Sequence, residues 1–201
     1  MIRVLVAEDM RVVREALVAT LDSDEDIDVV AQAERGDEVV PLAKLAEPDV
    51  AVLDLGLPGE TGLQVSAALR RELPACRVLV LTALEGPGTV REALSVGVRG
   101  FLRKGASLAE LVDGIKNVHA GQRVISSDLM AAAIEVGDNP LTPRERSVLR
   151  LAARGLSADQ IALRLNLAEG TVRNNLTRVI AKLQAQNWVD AVRVAERVGW
   201  L

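Results

Sequence analysis

The chain has 201 residues, 49% hydrophobic and 26% charged, which fits a globular protein with a sizeable buried core. No apolar run approaches the ~20 residues of a membrane span, the first residues lack the layout of a secretory signal, and the single Cys76 excludes an internal disulfide, so a cytoplasmic location is expected. The net charge of −4 is uneven: residues 1–120 hold 13 Lys/Arg against 20 Asp/Glu, whereas residues 139–201 hold 10 against 5, which implies two domains with different partners.

Residues 1–120 alternate short apolar runs with helical periodicity. The runs predict strands at 2–7, 27–33, 49–54, 76–82 and 98–103, with helices at 10–22, 36–47, 61–73, 85–96 and 107–120. In the first helix Val13, Ala16, Leu17, Thr20 and Leu21 share a face. Asp24-Glu25-Asp26 reads as a solvated loop, Cys76 as a packing residue and His119 as a surface residue. Five strands alternating with five helices imply an α/β domain, a doubly wound five-stranded parallel sheet with right-handed crossovers.

Gly121 ends the alternation, and residues 121–139 read as a linker with a short helix over 126–135. Residues 140–201 are purely helical in pattern. Thr142-Pro143-Arg144-Glu145 offers a capping box with proline at the first helical position, and Ser157-Ala158-Asp159-Gln160 offers a second box. Gly155 and Asn166 supply the stops. A third helix is predicted over about 169–183 and a fourth over about 189–198.

Three carboxylates follow strand ends: Glu8 and Asp9 after 2–7, and Asp54 at the end of 49–54. In an open parallel sheet the crevice beyond the carboxyl ends of the strands is the usual ligand site. Together the three acids suit Mg²⁺, which binds through one or two carboxylates and accepts phosphate oxygens as further ligands. Thr82 closes the fourth strand and Lys104 follows the fifth, which adds a hydroxyl and an ammonium at the same edge. The chemistry that needs all five is phosphoryl transfer onto an aspartate, with Asp54 as nucleophile, Glu8 and Asp9 on the metal, and Thr82 and Lys104 on the incoming oxygens. Singly, each residue has a plainer reading: Lys104 as a snorkelling lysine, Glu8-Asp9 as acids favouring the next helix N-terminus, Thr82 as a strand end.

Glu8-Asp9, Asp54 with Leu57-Pro58 and Gly62, Thr82-Ala83, and Phe101 three residues before Lys104 resemble the receiver domain of bacterial two-component response regulators, a flavodoxin-like, CheY-like fold. The resemblance covers residues 1 to about 120. It implies phosphorylation of Asp54 by a sensor histidine kinase, a metal site completed by the Gly56 carbonyl, and a switch in which the Thr82 hydroxyl moves to the phosphoryl group while the Phe101 ring turns inward. Gly105 stands where many receivers have proline. Gly56 and Leu84, two residues after Asp54 and Thr82, offer no polar side chain to align a hydrolytic water, so a long-lived aspartyl phosphate is expected.

In the third helix of the basic segment Val172, Leu176, Val179 and Leu183 share a core face, opposite Gly170, Asn174, Thr177 and Ala181. Arg173 and Asn174 are residue types that read guanine and adenine edges in the major groove. Arg178 and Lys182 are placed to reach phosphates, which supply affinity rather than specificity. A solvated polar face explains this helix equally well. The surrounding pattern decides: Leu141-Thr142-Pro143-Arg144-Glu145-Arg146, Gly155-Leu156-Ser157, Gln160-Ile161-Ala162, Gly170-Thr171-Val172-Arg173-Asn174 and Lys182-Leu183 resemble the LuxR-type helix-turn-helix. With the receiver in front, the whole chain resembles the NarL/FixJ family.

That resemblance implies a small all-α, four-helix domain that binds double-stranded DNA, with Thr171, Arg173, Asn174, Thr177, Arg178 and Lys182 at the DNA face. It also implies a homodimer, formed on phosphorylation, that engages an inverted-repeat operator; the family's last helix is a frequent dimer contact. Ala168 stands where a capping Ser is usual, Asn175 replaces a common His, Gln184 a common Gly, and Trp188-Val189 a polar pair. Two rivals frame the expectation. One is a DNA-binding protein whose acidic pocket is not used; the other is a phosphatase or hydrolase acting through Asp54, against which stands Gly56 in place of a second acid.

Overall fold

The computed structural model describes residues 1–83 and 86–201, and the backbone alone of Asp128. Leu84, and Glu85 at the start of the helix predicted over 85–96, lie outside the described residues. Contacts divide the chain into two compact units, Met1–Glu85 with Val90–Ala131, and Gly86–Thr89 with Ala132–Leu201.

The first unit is the expected doubly wound sheet. Strands β1 (Ile2–Ala7), β2 (Ile27–Ala33), β3 (Val50–Leu53), β4 (Arg77–Thr82) and β5 (Gly100–Arg103) run parallel in the order β2-β1-β3-β4-β5. Helices α1 (Arg11–Leu21), α2 (Gly36–Ala46), α3 (Gly62–Glu72), α4 (Pro87–Ser95) and α5 (Leu108–His119) alternate with them in sequence, the start of α4 being grouped with the second unit. Their bounds lie within two residues of those predicted, the usual uncertainty of element ends. Val4, Val6, Val50, Val52, Leu79 and Leu81 pack with Leu17 and Leu21 of α1 and Leu111, Ile115 and Val118 of α5. The intervening strand residues Leu5, Ala51, Leu53 and Val80 are fully buried as well, so both faces of the sheet are covered and the strands read as continuous apolar runs.

Three local readings are corrected. The buried residues of α1 are Arg14, Leu17 and Leu21, while Ala16 is exposed, because the face that meets the sheet is rotated toward Arg14. The Asp24-Glu25-Asp26 run is more than solvated loop: Asp26 and Asp24 grip Lys116 of α5 at 2.8 and 3.1 Å. His119 is half-buried, its Nδ1 without a partner and its carbonyl accepting from Arg77. Cys76 packs as expected, its thiol pushed up to about 11 by burial and the nearby Asp49 charge.

The chain leaves α5 at Gly121 and returns along the open side of β5. Phe101 N–H donates to the Val124 carbonyl at 2.8 Å, and Val124 N–H to the Arg99 carbonyl at 3.0 Å, a short parallel bridge that covers this edge of the sheet. Helix α6 (Ser127–Val136) follows.

The second unit contains α7 (Pro143–Ala153), α8 (Ala158–Leu165), α9 (Glu169–Lys182) and α10 (Trp188–Val198), the four helices anticipated. In the box that opens α7, Thr142 N–H meets Glu145 Oε2 at 2.8 Å and Glu145 N–H meets Thr142 Oγ1 at 3.2 Å. The expected box opens α8 as well: Gln160 accepts from Ser157 N–H at 3.0 Å, the Ser157 side chain faces the Gln160 amide, and its hydroxyl donates to Asp159. Gly155 and Asn166 take the left-handed conformation at φ 82° and 53° and stop their helices. Two apolar clusters share Leu176: one joins Val148, Leu151, Ile161 and Val172, the other Leu149, Val179, Leu183, Ala191 and Ala195.

Candidate functional site

Strand order reverses between β1 and β3, the point at which an open sheet parts to form a crevice. The register places the acids there. Ala7 pairs with Leu53, and the next step is a hydrogen bond from Asp54 N–H to the Ala7 carbonyl at 2.9 Å, so Glu8 and Asp54 leave adjacent strands side by side. The carboxylate oxygens of Glu8, Asp9 and Asp54 lie within 4.8 Å of one another. Glu8 and Asp54 are 1% and 8% exposed, whereas Asp9 is exposed to solvent. Three converging oxygen donors at a wet edge suit a hard cation such as Mg²⁺.

The same logic delivers Lys104. Thr82 pairs with Arg103, and Lys104 N–H donates to the Thr82 carbonyl at 3.0 Å. The Lys104 ammonium then reaches Glu8 Oε2 at 2.7 Å and Asp54 Oδ2 at 3.0 Å. Burial works against its charge, but hydrogen bonds to Glu8 and Asp54 and their negative charges outweigh it and hold its pKa above the usual lysine value. Thr82 is buried at the rim. Phe101 is 2% exposed.

Glycines shape the wall beside Asp54. A Cβ on Gly62 would sit 2.4 Å from the Asp54 carbonyl, so only glycine lets α3 begin this close to the loop. A Cβ on Gly56 would lie 3.3 Å from Asp54 Oδ2, which puts the side-chain direction of position 56 directly over the carboxylate. Open space surrounds Gly105, and the described residues contain no cis peptide bond.

One supporting residue escaped the sequence reading. Arg14, 6% exposed, donates to the Glu8 carbonyl at 2.7 Å and pairs with Glu34, so it clamps the backbone that carries Glu8. The signal was present as an arginine in step with Leu17 and Leu21 on the inner face of α1.

In the second unit α9 turns Val172, Asn175, Val179 and Leu183 inward and leaves Thr171, Arg173, Asn174, Thr177 and Arg178 on its exposed side. Nothing lies within 4 Å of a Cβ on Gly170, so that face is open to close approach. Arg173 holds Glu169 at 2.6 Å in an exposed pair, an attachment worth little and easily exchanged. Asn175 donates to the Thr171 carbonyl at 2.7 Å and Thr177 to the Arg173 carbonyl at 3.1 Å. Lys182 is exposed too, and its ammonium binds the buried Glu145 Oε2 at 2.6 Å. Burial of Glu145 opposes ionisation, but the hydrogen bonds from Lys182 and Thr142 prevail and hold its carboxyl below the ordinary glutamate value.

The sequence matches the response regulator receiver domain family over residues 4–116, more than half of the chain, and the luxR family of bacterial regulatory proteins over residues 139–195. The chain is a two-component response regulator. It carries a LuxR-type DNA-binding domain and belongs among transcriptional regulators, not enzymes, which removes the hydrolase rival. This response regulator is 38% identical over 201 residues to the uncharacterized transcriptional regulatory protein YvfU of Bacillus subtilis strain 168, with all of both chains covered. It is 34% identical to the transcriptional regulatory protein DesR of the same organism over 100% of this chain and 99% of that one. Among solved structures it is similar to the response regulator ChrA of a heme-sensing two-component system, at TM-score 0.57 and 30% identity, covering 100% of this chain and 98% of the other. Among the described residues no helix is long and apolar enough to cross a membrane.

Proposed function

We propose that Asp54 accepts a phosphoryl group from the phosphohistidine of a sensor histidine kinase, and that this modification promotes dimerisation and operator binding in the cytoplasm. An Asp54 carboxylate oxygen attacks phosphorus, the P–N bond to imidazole breaks, and an aspartyl phosphate forms. Glu8, Asp9, Asp54 and the Gly56 carbonyl are the groups to hold Mg²⁺, which when bound supplies positive charge to the transferring oxygens. Lys104 already stands on Asp54 and follows the charge onto the phosphoryl group, with Thr82 as the second donor and Phe101 as its switch partner. The observation that carries the reading is the convergence of three carboxylates within 4.8 Å and an ammonium 3.0 Å from Asp54.

We take residues 1–120 as the receiver, 121–139 as the linker and 140–201 as the DNA-binding domain. Thr171, Arg173, Asn174, Thr177 and Arg178 on the open side of α9 are the residues to enter the major groove. Pairing two such helices on an inverted repeat of double-stranded DNA multiplies the affinity of one. Acetyl phosphate with Mg²⁺ should add one phosphoryl group by mass, and Asp54→Ala and Asp9→Ala should each abolish the gain. Equal labelling of Asp54→Ala refutes the assignment. The rival is constitutive binding with an unused pocket. Sedimentation separates the two, because the switch requires a monomer-to-dimer shift, with a matching rise in operator affinity, on phosphorylation.

A further inference from the structure

On the opposite end of the sheet from the acidic crevice, a cavity of about 490 Å³ opens where β4 and β5 begin, within the size range of small-ligand sites. Four arginines line it, Arg70, Arg77, Arg99 and Arg123, and no aspartate or glutamate does. This concentration stands out because residues 1–120 carry 13 Lys/Arg against 20 Asp/Glu.

The arginines are held by main chain rather than by carboxylates. Arg70 donates to the Ser95 carbonyl at 3.2 Å, and its stem lies against Gly97, where a Cβ would come within 2.7 Å of the Arg70 Cδ. Gly97 also sits at φ 96°, so the position favours glycine twice over. Arg77 donates to the His119 carbonyl. Arg99 and Arg123 have no carboxylate partner among the described residues, and the Val124 bridge to the Arg99 carbonyl brings their stretches of chain together. Carbonyl contacts orient a guanidinium without neutralising it. Asp49, whose charge reaches Cys76 in the cavity wall, offsets part of the positive potential, but four arginines line the space and each planar fork is suited to paired phosphate oxygens.

We propose that this pocket binds a small anion carrying a diphosphate group, independently of phosphorylation at Asp54. A single phosphate cannot satisfy four guanidinium groups, whereas two linked phosphates present enough oxygens. Because Arg123 belongs to the segment that follows α5, the bound anion would also fasten that segment to the sheet.

The test uses the full chain without divalent metal, at constant ionic strength, titrated separately with inorganic pyrophosphate, ADP and orthophosphate. Calorimetry should give one site for pyrophosphate and for ADP, with orthophosphate at least tenfold weaker. The amide resonances of Cys76, Gly97 and Val98 should move. Arg99→Gln with Arg123→Gln, two exposed positions whose loss leaves the fold intact by circular dichroism, should weaken pyrophosphate about 100-fold, near tenfold per lost charged contact. Asp54→Ala should bind as the parent does. Unchanged affinity in the double variant, or shifts confined to the basic helical unit or to Lys104, overturns the proposal. Affinity that Asp54→Ala removes overturns the claim of independence while leaving the phosphoacceptor reading intact.

Discussion

The Lys182 ammonium lies 2.6 Å from Oε2 of Glu145, the same oxygen that accepts the Thr142 amide at the start of α7. The end of one helix is thus pinned to the beginning of another through a carboxylate that is only 3% exposed. Removing the ammonium leaves that charge buried without its partner. Lys182→Ala should cost the helical unit about 2–3 kcal/mol, below the ~3–5 typical of fully buried pairs because Lys182 is 36% exposed. Urea unfolding followed by tryptophan fluorescence reads this unit, since both tryptophans of the chain, Trp188 and Trp200, belong to it. DNA affinity should fall with stability and keep its salt dependence; a flattened salt slope with unchanged stability would restore Lys182 as a phosphate contact.

The pair also has a pH signature. The folded Glu145 carboxyl lies below its ordinary value of 4.5, so on acidification the unfolded chain takes up the proton first. The stabilisation is complete above about pH 4.5 and disappears as pH falls through the folded value. The urea midpoint should therefore drop as the pH falls below about 4.5, and Lys182→Ala should drop less on the same acidification.

Arg14 bears on metal binding through the main chain. It touches none of the acidic side chains in the crevice, yet its bond to the Glu8 carbonyl fixes the backbone from which Glu8 projects. Arg14→Met keeps the length and loses the donor, and should weaken Mg²⁺ binding about tenfold, the low end of outer-shell effects. Titration of Mg²⁺ against amide resonances near Asp54 measures it. An unaltered affinity would leave Arg14 a packing residue only.

Position 56 should govern the lifetime of the aspartyl phosphate. Its Cβ direction points at Asp54 Oδ2 from 3.3 Å, and glycine puts no donor or acceptor there. Gly56→Asn supplies one that can orient water, so the variant should lose its phosphoryl group faster than the parent once the donor is removed. Slower loss would count against water alignment as the limiting factor.

Two helix ends in the basic unit carry avoidable costs. Ala168 has the extended backbone of an N-cap at φ −76°, ψ 144° but makes no side-chain cap bond. Ala168→Ser should stabilise α9 by about 1 kcal/mol. Gln184 adopts φ 51°, the left-handed conformation expected where glycine is common, and Gln184→Gly should gain about 0.5–1 kcal/mol. Denaturant midpoints of the single and double variants check both values, which should add because the sites lie at opposite ends of the helix.

Elements and crevice were legible because their signals are local. Period, capping boxes and the position of an acid after an apolar run are written into a few consecutive residues, and parallel register carried Glu8, Asp54, Thr82 and Lys104 to one edge. What escaped depended on the facing element. The spacing of Lys182 within α9 places it near the DNA side, and nothing in that helix announces Glu145 on α7. Arg14 was hidden by an apolar template that has no place for a buried arginine, and Asp24 and Asp26 looked idle until α5 brought Lys116 to them.

The Val124 bridge to β5 bears on how the chain can be divided. A fragment ending at residue 120 would leave the Phe101 amide and the Arg99 carbonyl without their partners and open the rim of the sheet to pairing with other molecules. Excised receivers, and chimeras joining this receiver to a foreign output domain, should accordingly be cut after residue 126. Shorter versions should self-associate through β5 and mimic a dimer unrelated to signalling.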